Sequence, residues 1–161
     1  MLRISKMTDY GTVVMTHLAK DPERLYSARE LAEELHIGVA TVSKVLKTLE
    51  RSGLLLAQRG KNGGYRPAHA PGDISVAQVI RAMEGPIALT ECASEAVQCE
   101  QEASCTVQSN WQRINKAIMQ ALEGVSVAEM TQPVSVEAVQ NQTQVFFQRL
   151  DKDKQATVRA E

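Results

Sequence analysis

Apolar residues recur along the first third of the chain at helical spacing, in three short bursts separated by turn-forming residues. Over residues 8–20, Val13, Val14, His17 and Leu18 fall on one face, with Thr8 or Asp9 placed to cap the start and Asp21-Pro22 to end it. Ser27-Ala28-Arg29-Glu30 has the spacing of a capping box and opens a short helix that runs to Leu35. His36-Ile37-Gly38 follows as a tight turn. A third helix is expected over residues 39–52, with Val42, Val45, Leu46 and Leu49 on one face and Gly53 just past its end.

The pattern then changes period. Leu54-Leu55-Leu56-Ala57 reads as a strand, Arg59-Gly60-Lys61-Asn62-Gly63-Gly64 as a turn, and Tyr65-Arg66-Pro67 as a returning edge strand. A short helix, a three-residue turn, a helix rich in Thr, Ser and Lys, and then a hairpin with cations at its tip form a winged helix-turn-helix. Glycines in such a wing suit close approach of backbone to phosphates.

Ser75-x-x-Gln78 opens a fourth helix, which Gly85-Pro86 breaks after Glu84. The longest helical pattern covers residues 106–123, with Gly124 after it and Trp111, Ile114, Ile118, Ala121 and Leu122 as its stripe. A small winged domain offers that helix little to pack against. Pairing with the same helix of a second chain is therefore expected, and packing within one chain is the alternative. The fold class is mainly α: a winged helix-turn-helix DNA-binding domain over 1–84, a cysteine-bearing loop over 85–105, a long C-terminal dimerisation helix with a short following segment over 106–131, and a weakly ordered tail over 132–161. In that Gln-rich tail, Val136, Val139, Phe146 and Leu150 would stripe one further helix.

Composition narrows the class. With 43% hydrophobic and 23% charged residues in 161, the profile is that of an ordinary globular protein. The apolar runs are too short for a membrane span, and Met1 to Lys6 holds no continuous apolar stretch of a secretory leader, so a cytoplasmic location is expected. Charge is split along the chain: residues 1–70 hold 11 Lys and Arg against 7 Asp and Glu, and residues 71–161 hold 7 against 12. Between Gly38 and Arg66, Lys44, Lys47, Arg51, Arg59, Lys61 and Arg66 face the single acid Glu50. A basic surface on a near-neutral protein suits a polyanion at one face; a solvated charged face is the plainer reading.

The three cysteines are clustered as Cys92-x6-Cys99-x5-Cys105, within a stretch from Gly85 to Asn110 that has no Lys or Arg. An odd number of thiols in a reducing compartment points to metal or redox chemistry rather than a disulfide framework. Thiolates this close in sequence converge on one soft metal centre without long loops to close. Small buried hydrophobes are a poor fit among so many Glu, Gln and Ser neighbours. Zinc lacks an obvious fourth ligand, since His17, His36 and His69 read as turn or helix-surface residues. A cluster-free thiol switch needs a low-pKa thiol, against which the nearby acids act. No phosphate loop, metal-binding His pair or nucleophile elbow is present, so the chain is not expected to be an enzyme. The turn from Gly60 to Gly64 lacks the Lys-Ser/Thr and helix that a phosphate loop needs. An iron–sulfur carrier without DNA binding is the remaining rival.

These residues resemble the Rrf2 family of bacterial winged-helix regulators, whose members include the iron–sulfur cluster regulator and the nitric-oxide-sensitive repressor. The resemblance covers residues 1–132 and rests on Leu2-Arg3-Ile4-Ser5-Lys6, Val42-Ser43-Lys44-Val45-Leu46, Gly53-Leu54, Arg59-Gly60-x-x-Gly63-Gly64-Tyr65, and three cysteines before a helix containing Trp111. It is nearest to the branch regulating SUF iron–sulfur assembly. The family implies a cytoplasmic homodimer bound to double-stranded, pseudo-palindromic promoter operators, acting as a repressor of iron–sulfur assembly genes. By that resemblance Ala40, Thr41, Ser43, Lys44 and Lys47 are the base-reading positions, and Arg59, Lys61, Gly63 and Tyr65 belong to the DNA-contacting wing.

The family also implies an iron–sulfur cluster on Cys92, Cys99 and Cys105. Two departures bear on its type. In the iron–sulfur cluster regulator the first cysteine gap is five residues and a His follows the third cysteine at the third position; here the gap is six and that position is Gln108. The nitric-oxide-sensing branch instead takes an oxygen ligand from an Asp of the partner subunit, which matches Asp9 in Lys6-Met7-Thr8-Asp9. A carboxylate on one iron would leave a labile corner on a thiolate-held cluster. Asp9 therefore has two readings, helix cap and cluster ligand, and the cluster is read as 4Fe–4S, with 2Fe–2S as the alternative.

Overall fold

The computed structural model describes residues 3–93 and 105–133. It is mainly helical with one two-stranded antiparallel sheet, and all the elements below lie in the unit Met1–Thr131.

Helix α1 spans Lys6–Leu18 and is capped by Ser5, whose hydroxyl accepts from the Thr8 amide at 3.2 Å. The expectation of Thr8 or Asp9 as the cap is corrected here. Glu84, 79 residues away, accepts from the Ser5 amide at 2.8 Å and from the Thr8 hydroxyl. That distant carboxylate satisfies donors a helix start leaves open, so the helix begins earlier. Asp9 already sits inside it, its amide donating to the Ser5 carbonyl at 3.0 Å.

Helix α2, Ala28–Leu35, carries the expected capping box: the Ser27 hydroxyl accepts from the Glu30 amide at 3.1 Å while Glu30 accepts from the Ser27 amide. His36 ends it in the left-handed region at φ 53°. Helix α3 follows over Val39–Arg51, with Val42, Val45, Leu46 and Leu49 fully buried, against α1 and α2. Gly53, at φ 77°, turns the chain away.

Strands β1, Leu55–Gln58, and β2, Gly64–Pro67, pair in the register Leu55↔Pro67 to Gln58↔Gly64. The hairpin does not hang free. Tyr65 exchanges both backbone hydrogen bonds with Tyr26, at 3.0 and 2.9 Å, so residue 26 acts as a one-residue third strand. Arg24 and His17 pack on the Tyr26 ring.

Helix α4, Val76–Glu84, opens on the Ser75–Gln78 capping box and ends at Gly85. It packs on α1, where Gly11 allows close approach: a Cβ there would lie 3.0 Å from the Met83 side chain. A 3₁₀ turn, Glu91–Ala93, then packs on helix α5, Gln108–Glu123, which also contacts α4. Helix α6, Val127–Met130, starts on a third capping box, Ser126–Glu129. Its first residue, Val127, is fully buried in the same core as Val14, Leu46 and Ile74. The amides of Val76 and Val127 donate to Val125 and Ile74 carbonyls at 2.9 and 2.8 Å. The chain after α5 is thereby stitched to the lead-in of α4. The fourth-helix and hairpin expectations agree with these bounds to within a residue or two. Val136, Val139, Phe146 and Leu150 lie outside the described residues. No described helix is long and apolar enough to cross a membrane.

Candidate nucleic-acid interface and candidate metal centre

Helix α3 is two-faced. Its buried side is held by α1 and α2, so the opposite side is presented at a fixed angle. There Ala40, Lys44 and Lys47 are exposed, and Thr41 and Ser43 are half-buried. Residues 40, 44 and 47 share one face by helical spacing. Among described residues none of these cations is drawn into an ion pair, since the pairs present are His17–Glu34, Arg24–Glu30, Arg24–Glu34, Arg29–Glu33 and Arg81–Glu123.

The wing tip exposes Arg59, Gly60, Lys61 and Asn62. The two glycines at its returning side have a reason inside the fold. A Cβ on Gly63 would lie 2.2 Å from the Gln58 carbonyl oxygen, and one on Gly64 2.7 Å from the Tyr26 carbonyl oxygen. Tyr65 is half-buried and packs on the core. The wing root is thus closed by backbone contact, and its cations are carried beyond that root.

Of the expected cluster ligands, Cys92 lies in the 3₁₀ turn that packs on α5, and Cys105 lies three residues before that helix. Cys105 is a free thiol of intermediate exposure. Cys99 is outside the described residues. Asn115, only 9% exposed, fixes the lead-in to this segment: its Oδ1 accepts from the Leu89 amide at 3.1 Å and its Nδ2 donates to the Ile87 carbonyl at 3.3 Å. A buried amide saturating two backbone groups is a specific clamp rather than a generic contact. The chain therefore enters and leaves the cysteine stretch on the same helix. A free thiol at one end and no cation in the stretch are compatible with soft, thiolate-held iron. Among the described residues no three His, Cys, Asp or Glu side chains gather as a metal site.

Asp9 is exposed on the rim of a groove between α1, α4 and α6 lined also by Arg3, Ile4, Lys6, Ile80 and Met130. No described cysteine lines that groove. Ile4 and Met130 are exposed apolar side chains at its edge. One turn away, the Glu84 carboxyl is held below the ordinary glutamate range, first by the Thr8 hydroxyl and then by the Ser5 amide. Of the three histidines, His17 pairs with Glu34 at 2.7 Å, while His36 and His69 are exposed.

Sequence reasoning passed over four features: Glu84 as the cap of a remote helix, Asn115 as a clamp, the Arg81–Glu123 pair joining α4 to α5, and the return of Val127 to the core. Only the last had a readable local signal, the Ser126-x-x-Glu129 capping box.

A family described as Rrf2, iron-dependent transcriptional regulator, matches residues 4–133. Protein rrf2 of Nitratidesulfovibrio vulgaris is 27% identical over 136 residues, covering 84% of this chain and 91% of that protein. Among solved structures, CymR (YrzC), the global cysteine regulator of B. subtilis, is 28% identical with a TM-score of 0.66, covering 81% of this chain and 97% of its own. IscR of T. potens is 27% identical with a TM-score of 0.62, covering 80% and 85%.

Proposed function

The chain belongs to the Rrf2 family of transcriptional regulators, and on that premise we propose that it is a homodimeric repressor of iron–sulfur assembly genes whose hold on its operator is set by an iron–sulfur cluster. The observation that carries this is mechanical. The cysteine stretch begins and ends on α5, and α5 is joined to the body that presents α3 and the wing by Arg81–Glu123 and by the buried Val127.

In this reading Cys92, Cys99 and Cys105 hold the cluster, with Asp9 of the partner subunit as the fourth donor. When bound, the cluster supplies thiolate-held iron whose occupancy follows the iron and oxidant status of the cell. Asn115 sets the path by which Cys92 approaches α5. The exposed Trp111 and Ile114 give α5 an apolar face for the second chain, placing the two α3 helices about one turn of duplex apart. Ala40, Thr41, Ser43, Lys44 and Lys47 then face the major groove, and Arg59 and Lys61 lie in or over the minor groove. Occupancy and operator affinity are linked by one coupling free energy. The Asp-ligated arrangement favours 4Fe–4S over 2Fe–2S.

The test is anaerobic isolation followed by iron and sulfide analysis and operator binding across a salt series. Loaded protein should be coloured, Cys99→Ala should lose the colour, and loaded and cleared protein should differ in operator affinity. Equal affinities at every salt concentration would exclude the switch. A second reading, a cluster-free thiol switch, draws on the free Cys105 thiol and the likeness to a cysteine regulator. It predicts colourless protein whose operator binding changes with oxidation alone. An iron–sulfur carrier predicts colour without specific duplex binding.

A further inference from the structure

Every apolar residue of α3 larger than alanine is fully buried except one. Val42, Val45, Leu46 and Leu49 have no solvent exposure, whereas Val39, at the first helical position, is 52% exposed. Ala40 beside it is exposed as well. Together they form an uncharged, methyl-bearing patch at the start of the helix. Lys44 and Lys47 continue the same open side, and Arg29 of α2 borders a shallow depression that Val39 shares with Ala32 and Glu33.

A β-branched residue at this position adds little to helix stability, and Val39 adds nothing to the core. Its surroundings describe what it would meet. Ammonium groups further along the helix suit phosphates, while the patch itself has no polar side-chain atom. A duplex presents that combination in the major groove: anionic walls, and a floor on which the pyrimidine 5-methyl is the apolar group. Alanine and valine side chains have no hydrogen-bonding capacity, so among base edges they favour only a methyl.

We infer that Val39 and Ala40 read the 5-methyl group of a thymine in each operator half-site. This rests on the reading of α3 as the DNA-facing helix. It adds a residue, Val39, and a base identity to that reading.

The test uses the full chain, isolated anaerobically, and duplexes that it selects from a pool with a randomised centre. The selected duplexes should share a thymine at one symmetric position in each half. Replacing those thymines by uracil removes only the methyl and should weaken binding about fourfold per half-site, the factor that burial of one methyl supplies. A Val39→Ser variant should bind the thymine duplex more weakly and show a reduced difference between thymine and uracil. Cytosine at the same position should bind worse than 5-methylcytosine. Because Val39 is exposed, its variant should unfold like the parent, which a melting curve checks. Tight, selective binding with a flat uracil scan, or full discrimination kept by the folded Val39→Ser variant, overturns the methyl reading alone. Failure to select any duplex overturns the regulator reading itself, and the methyl reading with it.

Discussion

The recognition half and the cysteine-bearing half of this chain are held together by different physics. In the first, α1, α2, α3 and the hairpin enclose a core of fully buried Val14, Leu18, Leu31, Val42, Leu46 and Leu49, and the wing root is closed by backbone contact with Tyr26. In the second, the one buried residue of α5 is the polar Asn115. Its Trp111 and Ile114 are 39% and 42% exposed. A region stabilised by apolar burial is complete within one chain. A region held by an amide clamp, an ion pair and the return of Val127 to the core, with aromatic and aliphatic groups of α5 left in water, has further stabilisation to gain from what binds it.

That contrast can be broken by substitution, and the largest effect belongs to the core. Leu46→Ala should cost about 2–5 kcal/mol in denaturant unfolding, because Leu46 is fully buried in the core. A loss under 1 kcal/mol would mean the recognition half is loosely packed. Asn115→Ala should cost about 1–3 kcal/mol, from two backbone groups left without partners. Its signature is local: amide exchange at Leu89 should speed while that at Leu46 keeps pace with global unfolding. Uniform acceleration would show the two halves to be a single cooperative unit.

Glu84→Gln probes the bond between α4 and the start of α1, with a smaller effect and a defined pH dependence. The folded carboxyl titrates below its ordinary range, so its contribution is present above the unfolded value and disappears as pH falls through the folded one. The difference in Tm between parent and variant should therefore be largest near neutrality and shrink in acid. A difference that is constant with pH would assign the effect to shape rather than charge. The smallest effect is expected for Trp111→Ser. At dilutions where the mass is that of one chain, unfolding should change by no more than about 0.5 kcal/mol, as at other exposed positions. A loss above 2 kcal/mol would place Trp111 in an intrachain core.

What the sequence discloses follows the range of the interactions. Ser27–Glu30 and Ser75–Gln78 are capping boxes whose partners lie three residues apart, and both form as read. The buried stripe of α3 repeats with the helix and is equally legible. The start of α1 is legible only in part: Ser5 caps it through Thr8 three residues on, but the Glu84 carboxylate that completes the cap is remote, and no local spacing announces such a bond. Asn115 was invisible for a related reason: a polar residue inside an apolar stripe looks like an interruption until the backbone it serves is in place. The open side of α3 could be placed by its position after the turn. Its occupant could not, since Thr, Ser and Lys each accept several partners.

The stitch between Gly64 and Tyr26 has an outcome for how such a protein can diversify. Because no side chain of any size fits at residue 64 without displacing backbone, the hairpin must leave the body at one fixed point and in one direction. Everything past that point, from Arg59 to Asn62, is open to solvent and bound by no such restriction. Lengthening or recharging the tip would then alter how far the hairpin projects, while leaving the distance from its base to α3 untouched. A lineage built on this anchor can reshape the tip by editing a few residues, without having to refold the helices beneath it.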